Sequence, residues 1–275
     1  MASAILTTLS DEFSLSLSKA LKQLQRFPQV RHVDLRGVLH KNVINLAPND
    51  VLKVKTLLQE HGNVAVECIG SPVGKRKVPT TEEERADAFS QLQRALQVGQ
   101  QLGAPFLRVF AFHRDPTNPS NYEQAVALVQ EFGRMAEKAG IDLALENEGG
   151  YWGELPAEMD QLLRDVDSPR VWNLLDPGNH LQQKKHVLTE EDVALLAPRT
   201  KYLHVKDVNQ RSRKYVVVGT GDVHYSQIFQ QLYDAGVEPV ICLETHMGGL
   251  FRGRTSAKCM SNLVQLVKNA GYECQ

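Results

Sequence analysis

Four strand-like segments in the second half of the 275-residue chain each end in a side chain that can bind a metal ion. The segments are LALENEGG (143–150), VWNLLDPGNH (171–180), KYLHVKDV (201–208) and VICLETH (240–246), and the potential ligands are Glu146, Asp176, His204 and Glu244. Each ligand lies at or just past the C-terminal end of an apolar run, where α/β barrels place their chemistry. Three carboxylates and one imidazole suit one divalent cation such as Mn²⁺, Mg²⁺, Co²⁺ or Zn²⁺.

The first two potential ligands directly follow apolar runs. Glu146 closes the run IDLALE, where an ionised carboxylate is costly unless it binds a metal or pairs with a nearby lysine or arginine. Taken alone, Glu146 fits both interpretations equally well. Asp176 is followed by the turn Pro177-Gly178. We expect this turn to fold His180 over the site as a substrate contact, although an isolated histidine there is more often a solvated loop residue.

The last two potential ligands lie on alternating strands. In KYLHVKD, His204 and Lys206 share one face, because successive side chains of a strand point to opposite sides. Glu244 and His246 repeat this spacing in the last strand. We expect Lys206 and His246 to contact a substrate beside the metal. A hydrogen-bonded polar layer inside a barrel would give the same alternation.

Other polar residues near the expected strand ends fit two interpretations. Glu12 follows the first strand, Arg36 closes the second, and Arg108 and His113 belong to the fourth strand and its loop. Each fits substrate binding about as well as ion pairing within the scaffold. We keep Glu12 and Arg108 as candidate substrate-binding residues.

Short apolar runs alternate with longer amphipathic stretches along the whole chain. Strands are predicted at 4–8, 30–35, 64–69, 106–111, 141–146, 171–175, 201–206 and 240–245, and helices near 14–26, 48–61, 82–102, 120–139, 156–166, 189–197, 225–235 and 255–270. Eight alternating units predict a single (β/α)8 TIM-type barrel domain over residues 1–275. A doubly wound open sheet is the alternative, but the first predicted turn, TTLSDEF, lacks the glycines of its phosphate-binding turn.

Composition excludes several classes of protein. The formal net charge is −1, from 31 basic and 32 acidic residues, so the chain lacks the basic surface of a nucleic-acid binder. No apolar stretch approaches the roughly 18 residues of a membrane span. The opening MASAILTTLSDEF has no basic region before Asp11 and therefore predicts no secretory signal. We expect a cytoplasmic protein without nucleic-acid or membrane partners, and homo-oligomerisation is left open.

The order of several short motifs resembles the sugar phosphate isomerase/epimerase superfamily, the xylose isomerase-like TIM barrels. The motifs are VDLRG (33–37), GSPVGK (70–75), LRVF (107–110), LALEN (143–147), LLDPGN (174–179), LHVKD (203–207), GTGDV (219–223) and LETH (243–246). The resemblance covers nearly the whole chain, and it implies that Glu146, Asp176, His204 and Glu244 match the superfamily's single-metal site. It also implies that Glu146 and Glu244 act as acid and base on opposite sides of a carbohydrate substrate.

The expected reaction is therefore isomerisation or epimerisation of a sugar, keto-sugar or sugar phosphate. One glutamate would remove a proton beside a carbonyl, and the other would return a proton to the resulting enediolate. A lyase or dehydratase is the alternative. It shares the first step, but the enediolate then expels a leaving group instead of being reprotonated. An endonuclease IV-type enzyme is disfavoured because strand 3 ends in Ile69-Gly70-Ser71, without a ligand. A binding protein that has lost catalysis is the non-enzymatic alternative.

The chain departs from the resemblance at two positions. Many relatives have a histidine two residues after the glutamate of strand 5, where this chain has Glu148. We expect Glu148 to contact a sugar hydroxyl or to raise nearby pKa values. Relatives also carry an arginine shortly after the histidine of strand 7, a place that Arg211 or Arg213 would take here.

Overall fold

A ring of parallel strands positions the predicted ligands. The computed structural model describes residues 2–62, 64–184 and 186–275. Within these residues the ring consists of β1 (Ser3–Thr8), β2 (His32–Leu35), β3 (Ala65–Ile69), β4 (Phe106–Val109), β5 (Asp142–Glu146), β6 (Val171–Leu175), β7 (Thr200–Val205) and β8 (Val240–Leu243). Each strand from β2 to β8 pairs in parallel with the next, and β8 pairs with β1. A parallel bridge between Leu9 and Asp34 closes the ring.

Helices surround this ring and alternate with its strands. They are α1 (Leu17–Leu24), α2 (Pro48–Glu60), α3 (Glu82–Leu102), α4 (Asn121–Ala139), α5 (Pro156–Val166), α6 (Glu190–Leu196), α7 (Tyr225–Asp234) and α8 (Arg252–Asn269). The predicted (β/α)8 barrel is thus confirmed. Among the described residues, none of the helices combines the length and the apolar character needed to cross a bilayer.

Local signals explain where the longer helices begin and end. The Thr81 hydroxyl accepts a hydrogen bond from the Glu84 amide at 3.2 Å, which is a capping-box start for α3. Gly103 and Gly140 follow α3 and α4 with φ of 72° and 71°, a left-handed conformation that favours glycine. These turns return the chain to the next strand of the barrel.

Several short elements were not predicted. They are the helices Ser10–Phe13, Val43–Asn45, Pro177–Asn179, His180–Lys184 and Ala197–Arg199, the paired strands Gly37–Val38 with Lys41–Asn42 and Asp207–Asn209 with Lys214–Val216, and the strand Glu273–Cys274 beside β1. Segments of two to five residues are too short to carry a hydrophobic period. The hairpin after β7 matters most, because it lies at the end of the barrel where the predicted ligands are.

Candidate metal centre

The four predicted ligands converge inside the C-terminal end of the barrel. Their donor atoms all lie within 4.8 Å of one another. Glu146 is the last residue of β5, Asp176 follows β6, His204 is the fifth residue of β7, and Glu244 follows β8. Neighbouring parallel strands end at one level of the barrel, so these residues meet at its axis. None of the four is more than 2% exposed, which is unusual for carboxylates without a compensating cation.

His204 lies between the two glutamates. Its Nδ1 is 3.3 Å from Glu146 Oε1 and 3.3 Å from Glu244 Oε2. Glu146 Oε2 and Asp176 Oδ2 are buried and accept no hydrogen bond from the described residues. Buried acceptors of this kind usually have a partner, and three carboxylates with one imidazole are donors that suit a divalent cation. The residues present therefore fit the predicted metal.

Three cationic side chains face the carboxylates. Lys206 Nζ lies 2.6 Å from Asp176 Oδ2, an ion pair without hydrogen-bond geometry, and donates to Glu244 Oε2 at 2.8 Å. Arg108 Nη1 lies 3.3 Å from Glu146 Oε2 and 3.6 Å from Glu244 Oε1. Arg36 Nη1 donates to Glu244 Oε1 at 2.8 Å. Lys206 and Arg108 thus lie where the sequence predicts, beside the ligand set.

These charges shift the pKa values of the predicted ligands in opposite directions. Burial raises the pKa of Glu146, but Arg108 and His204 outweigh burial and lower it to about 2. Burial also raises the pKa of Asp176, and Lys206 opposes this only in part, so the value rises to about 6. Burial lowers the pKa of His204, whereas Glu244 and Glu146 raise it to a net value of about 9. Glu146 is therefore ionised at neutral pH.

Glu244 and Lys206 hold each other in charged form. Burial raises the pKa of Glu244, but Lys206 and His204 outweigh burial and hold the pKa well below its usual range. Burial lowers the pKa of Lys206, whereas Asp176 and Glu244 raise it well above its ordinary value. Glu244 is thus an ionised carboxylate that can accept a proton.

Arg36 connects Glu244 to the loop after β1. Its Nε donates to Asp11 Oδ2 at 3.0 Å, and its Nη2 donates to Glu12 Oε1 at 2.8 Å. Glu12 also accepts from the Thr245 hydroxyl at 2.7 Å. Arg36 therefore lies between Glu12 and the predicted ligand Glu244, and Glu12 holds the Arg36 guanidinium in place. In the described part of the chain, Glu12 makes no hydrogen bond or ion pair with the four predicted ligands.

His246 and Glu148 lie farther out than the ligands. His246 Nε2 is 3.3 Å from Glu244 Oε2 and 3.3 Å from Lys206 Nζ, and its side chain is 36% exposed. Glu148 accepts from Lys75 Nζ at 2.7 Å and from Gln183 Nε2 at 2.5 Å, and thereby joins three loops at the rim. His246 is thus beside the predicted metal, and Glu148 is on the rim.

The turn after Asp176 brings Asn179, rather than His180, to the ligand set. Asn179 donates from its amide to Glu146 Oε1 at 3.3 Å and from its backbone to Asp176 Oδ1 at 2.9 Å. The His180 ring is buried beside His186, with ring centres 5.9 Å apart. Burial, followed by the charge of His186, lowers the pKa of His180 to about 4. One helical step turns adjacent side chains by about 100°, so both could not face the ligands.

The residues missed by sequence analysis are two asparagines and a tyrosine. Asn147 Oδ1 accepts from the Asp176 amide at 2.7 Å, and Asn147 Nδ2 donates to the Asp176 carbonyl at 3.0 Å. The adjacency of Asn147 and Asn179 to predicted ligands was the available signal. Tyr215 stacks on His246 with ring centres 5.0 Å apart. Its three-residue strand had no signal in the hydrophobic pattern. Arg213, one of the two arginines expected after the histidine of strand 7, is exposed and donates to the Gln182 carbonyl.

Comparisons with known proteins agree with the fold. A family model described as xylose isomerase-like TIM barrel matches residues 30–262. A structure of D-allulose 3-epimerase from Methylomonas sp. in complex with D-allulose superposes with a TM-score of 0.77 at 19% identity, over 96% of this chain and 98% of that chain. A xylose isomerase-like TIM barrel protein from Mycobacterium smegmatis in complex with magnesium gives a TM-score of 0.71 at 18% identity, over 98% of both chains.

A curated relative matches over a shorter stretch of the chain. Fructoselysine 3-epimerase from Escherichia coli O157:H7 is 22% identical over 168 residues, which cover 59% of this chain and 60% of the relative. The chain thus spans about three fifths of the length of this relative.

Proposed function

Because the chain belongs to the xylose isomerase-like TIM barrel family, we propose that it is a divalent-metal-dependent enzyme that epimerises or isomerises a keto-sugar. The observation that carries this proposal is the convergence of Glu146, Asp176, His204 and Glu244 within 4.8 Å, with the histidine between the two glutamates. One solved neighbour and the curated relative are named as sugar 3-epimerases, which supports the proposed reaction. The other solved neighbour is a complex with magnesium, which supports the proposed divalent ion.

The proposed mechanism uses the two glutamates as a proton-transfer pair. A divalent ion held by the four ligands would supply Lewis-acid polarisation of the substrate carbonyl. Glu146 and Glu244 are both ionised at neutral pH, so either can accept the proton of the carbon beside that carbonyl. The other glutamate would first take up a proton from water and then return it to the opposite face of the enediolate, while the glutamate that accepted the substrate proton would release it to solvent. Lys206 and Arg108 lie near enough to offset the negative charge that proton removal creates.

The substrate approaches from the exposed side of the cluster. The side chains of Arg36 and His246 are 24% and 36% exposed, whereas the ligands are almost fully buried. A sugar entering there meets several hydrogen-bonding groups besides the ligands, which polyhydroxylated substrates require.

A screen of ketoses tests the proposal. Protein loaded with Mn²⁺ and protein treated with a chelator are incubated with D-allulose, D-fructose, D-tagatose and D-ribulose, and products are separated by chromatography. We expect metal-dependent formation of an epimer or aldose from at least one sugar. Loss of water would assign a lyase instead. No conversion with Mn²⁺, Mg²⁺, Co²⁺ or Zn²⁺ would contradict the proposal.

A further inference from the structure

A hairpin after β7 lies beside the candidate metal centre, where it contacts His246. Its strands Asp207–Asn209 and Lys214–Val216 pair antiparallel, with Val208 opposite Tyr215. Val208 is fully buried, whereas Lys214 is exposed. Because side chains of paired residues share a face, Tyr215 points inward with Val208. The hairpin thus directs one aromatic side chain towards the barrel.

The base of the hairpin is fixed by one buried carboxylate. Asp207 accepts hydrogen bonds from the amides of Val208, Gly219, Gly221 and Val223, at 2.9, 2.9, 2.9 and 3.2 Å. A Cβ at Gly221 would lie 2.2 Å from Asp207 Oδ1, so this close approach requires glycine. The return of the chain after Tyr215 is therefore held in one conformation.

The tip of the hairpin is held from the other side. Arg213 Nη2 donates to the Gln182 carbonyl at 2.7 Å, and Gln182 Nε2 donates to the Arg213 carbonyl at 3.0 Å. The neighbouring Gln183 binds Glu148, which in turn binds Lys75. These contacts join the hairpin to the loops after β6, β5 and β3. With its base and its tip both held, the hairpin is a fixed support for Tyr215.

Tyr215 lies against the outer edge of the site. Its ring stacks on the His246 ring at 5.0 Å with an interplanar angle of 25°, and His246 Nε2 is 3.3 Å from Glu244 Oε2. His246 has φ of 50°, a left-handed conformation that is rare for residues other than glycine and that concentrates at functional sites. Burial raises the pKa of the Tyr215 phenol, and charges on Lys206 and Asp176 also act on it.

The Tyr215 hydroxyl makes no hydrogen bond with the residues that the structure describes. Tyr151, in the loop after β5, differs because its hydroxyl is 2.8 Å from His113 Nε2. Both tyrosines pair with a histidine, but only Tyr215 keeps its hydroxyl available. A phenol hydroxyl beside the exposed edge of the ligand set can donate to, or accept from, a hydroxyl of an entering substrate.

We propose that Tyr215 is a substrate-binding residue whose hydroxyl hydrogen-bonds a hydroxyl of a polyhydroxylated substrate, while stacking on His246 fixes its ring. This inference rests on the proposed function and adds a residue from outside the metal ligands. It places part of substrate recognition in the hairpin after β7. Substitutions at Tyr215 should therefore change the binding of sugars without changing the binding of the metal.

The test compares Tyr215→Phe with a matched control, Tyr233→Phe. Tyr233 is also half-buried and also paired, with Tyr272 at 5.2 Å, but it lies on α7 at the outer wall. On the ketose that the wild type converts fastest, Tyr215→Phe should raise KM by roughly 3- to 10-fold, the value of one neutral hydrogen bond. The kcat should stay within about 2-fold, because ground state and transition state lose the same contact.

Two further measurements separate substrate binding from a structural role. The thermal unfolding midpoint and the Mn²⁺ affinity of Tyr215→Phe should match those of Tyr233→Phe. Equal KM values for Tyr215→Phe and the wild type would overturn this inference and leave the proposed function standing. A raised KM together with weakened Mn²⁺ binding would also overturn it, since the site itself would then be disturbed. Absence of conversion by the wild type would overturn both proposals.

Discussion

Asp34 and Asp176 are both fully buried aspartates inside the barrel, and both have His204 nearby, but their partners differ. Asp34 Oδ1 accepts from the Thr7 hydroxyl at 2.8 Å, and its Oδ2 accepts from the Tyr202 hydroxyl at 2.7 Å. Asp176 Oδ2 accepts no hydrogen bond among the described residues and faces the ammonium of Lys206 instead. A buried carboxylate with both oxygens hydrogen-bonded needs no further partner.

This difference separates a structural polar layer from a binding site. Donor atoms of Asp34, His204 and Cys242 are as close together as those of the candidate metal centre. Proximity alone therefore does not distinguish the two groups. The hydrogen-bond partners of Asp34 are neutral hydroxyls, whereas Asp176 faces the charged Lys206 and has an oxygen that accepts no hydrogen bond among the described residues. We expect a cation to bind only at the second group.

The largest expected effect is on turnover. Glu146→Gln and Glu244→Gln keep the size of each side chain but remove a group that can accept a proton at neutral pH. We expect each substitution to lower kcat by roughly 10²- to 10⁴-fold with the fold intact. Asp34→Asn is the matched control, because it makes the same chemical change in the neutral layer, and its kcat should stay near the wild-type value. Wild-type rates in both glutamine variants would exclude the two-glutamate mechanism.

The next effect is on metal affinity. Asp176→Asn replaces an oxygen of a predicted ligand and should weaken Mn²⁺ binding by at least about 100-fold in a calorimetric titration. Loss of a residue that only supports a ligand typically weakens metal binding by up to about 100-fold, so loss of a ligand should cost at least as much. Asp34→Asn should leave the Mn²⁺ affinity unchanged within error. Equal weakening by both substitutions would mean that the two aspartates belong to one site, and the comparison between them would fail.

The smallest effect, measured per pH unit, is the pH dependence of that affinity. The pKa of His204 is raised to about 9, so at pH 7 its ring carries a proton that a metal ion must displace. Mn²⁺ affinity should therefore rise about 10-fold per pH unit between pH 6 and pH 9 and then level off. Below the Asp176 pKa of about 6 a second proton competes, and the slope should steepen. An affinity that is constant from pH 6 to pH 9 would contradict the assigned charge state of His204.

The fold and the ligand set could be predicted from the sequence because both depend on long or repeated patterns. Apolar runs at regular spacing indicate the barrel, and a ligand at the end of four such runs has one geometric outcome, convergence at the axis. His180 shows the limit of this reasoning. His180 is close enough to Asp176 in sequence to reach the mouth of the barrel, but the short helix after Asp176 directs Asn179 towards the predicted ligands instead.

Tyr215 and Asp34 could not be predicted for a different reason. The role of Tyr215 depends on a hairpin that is fixed by two contacts. Asp207 binds Gly221, 14 residues further along the chain, and Gln182 binds Arg213, 31 residues further along. The neutral layer around Asp34 depends on Thr7 and Tyr202, which lie 27 and 168 residues away from it. Such contacts exist only after the barrel has closed, so a local pattern does not contain them.

The most direct test of proton transfer by the two glutamates is proton exchange with solvent at the substrate carbon. Mn²⁺-loaded protein is incubated in D₂O with the ketose that it converts, and the product is analysed by proton NMR. We predict one deuterium on the carbon that received the returned proton, in the wild type and not in Glu146→Gln or Glu244→Gln. Conversion without deuterium incorporation, or exchange that persists in chelator-treated protein, would contradict metal-dependent proton transfer by the two glutamates.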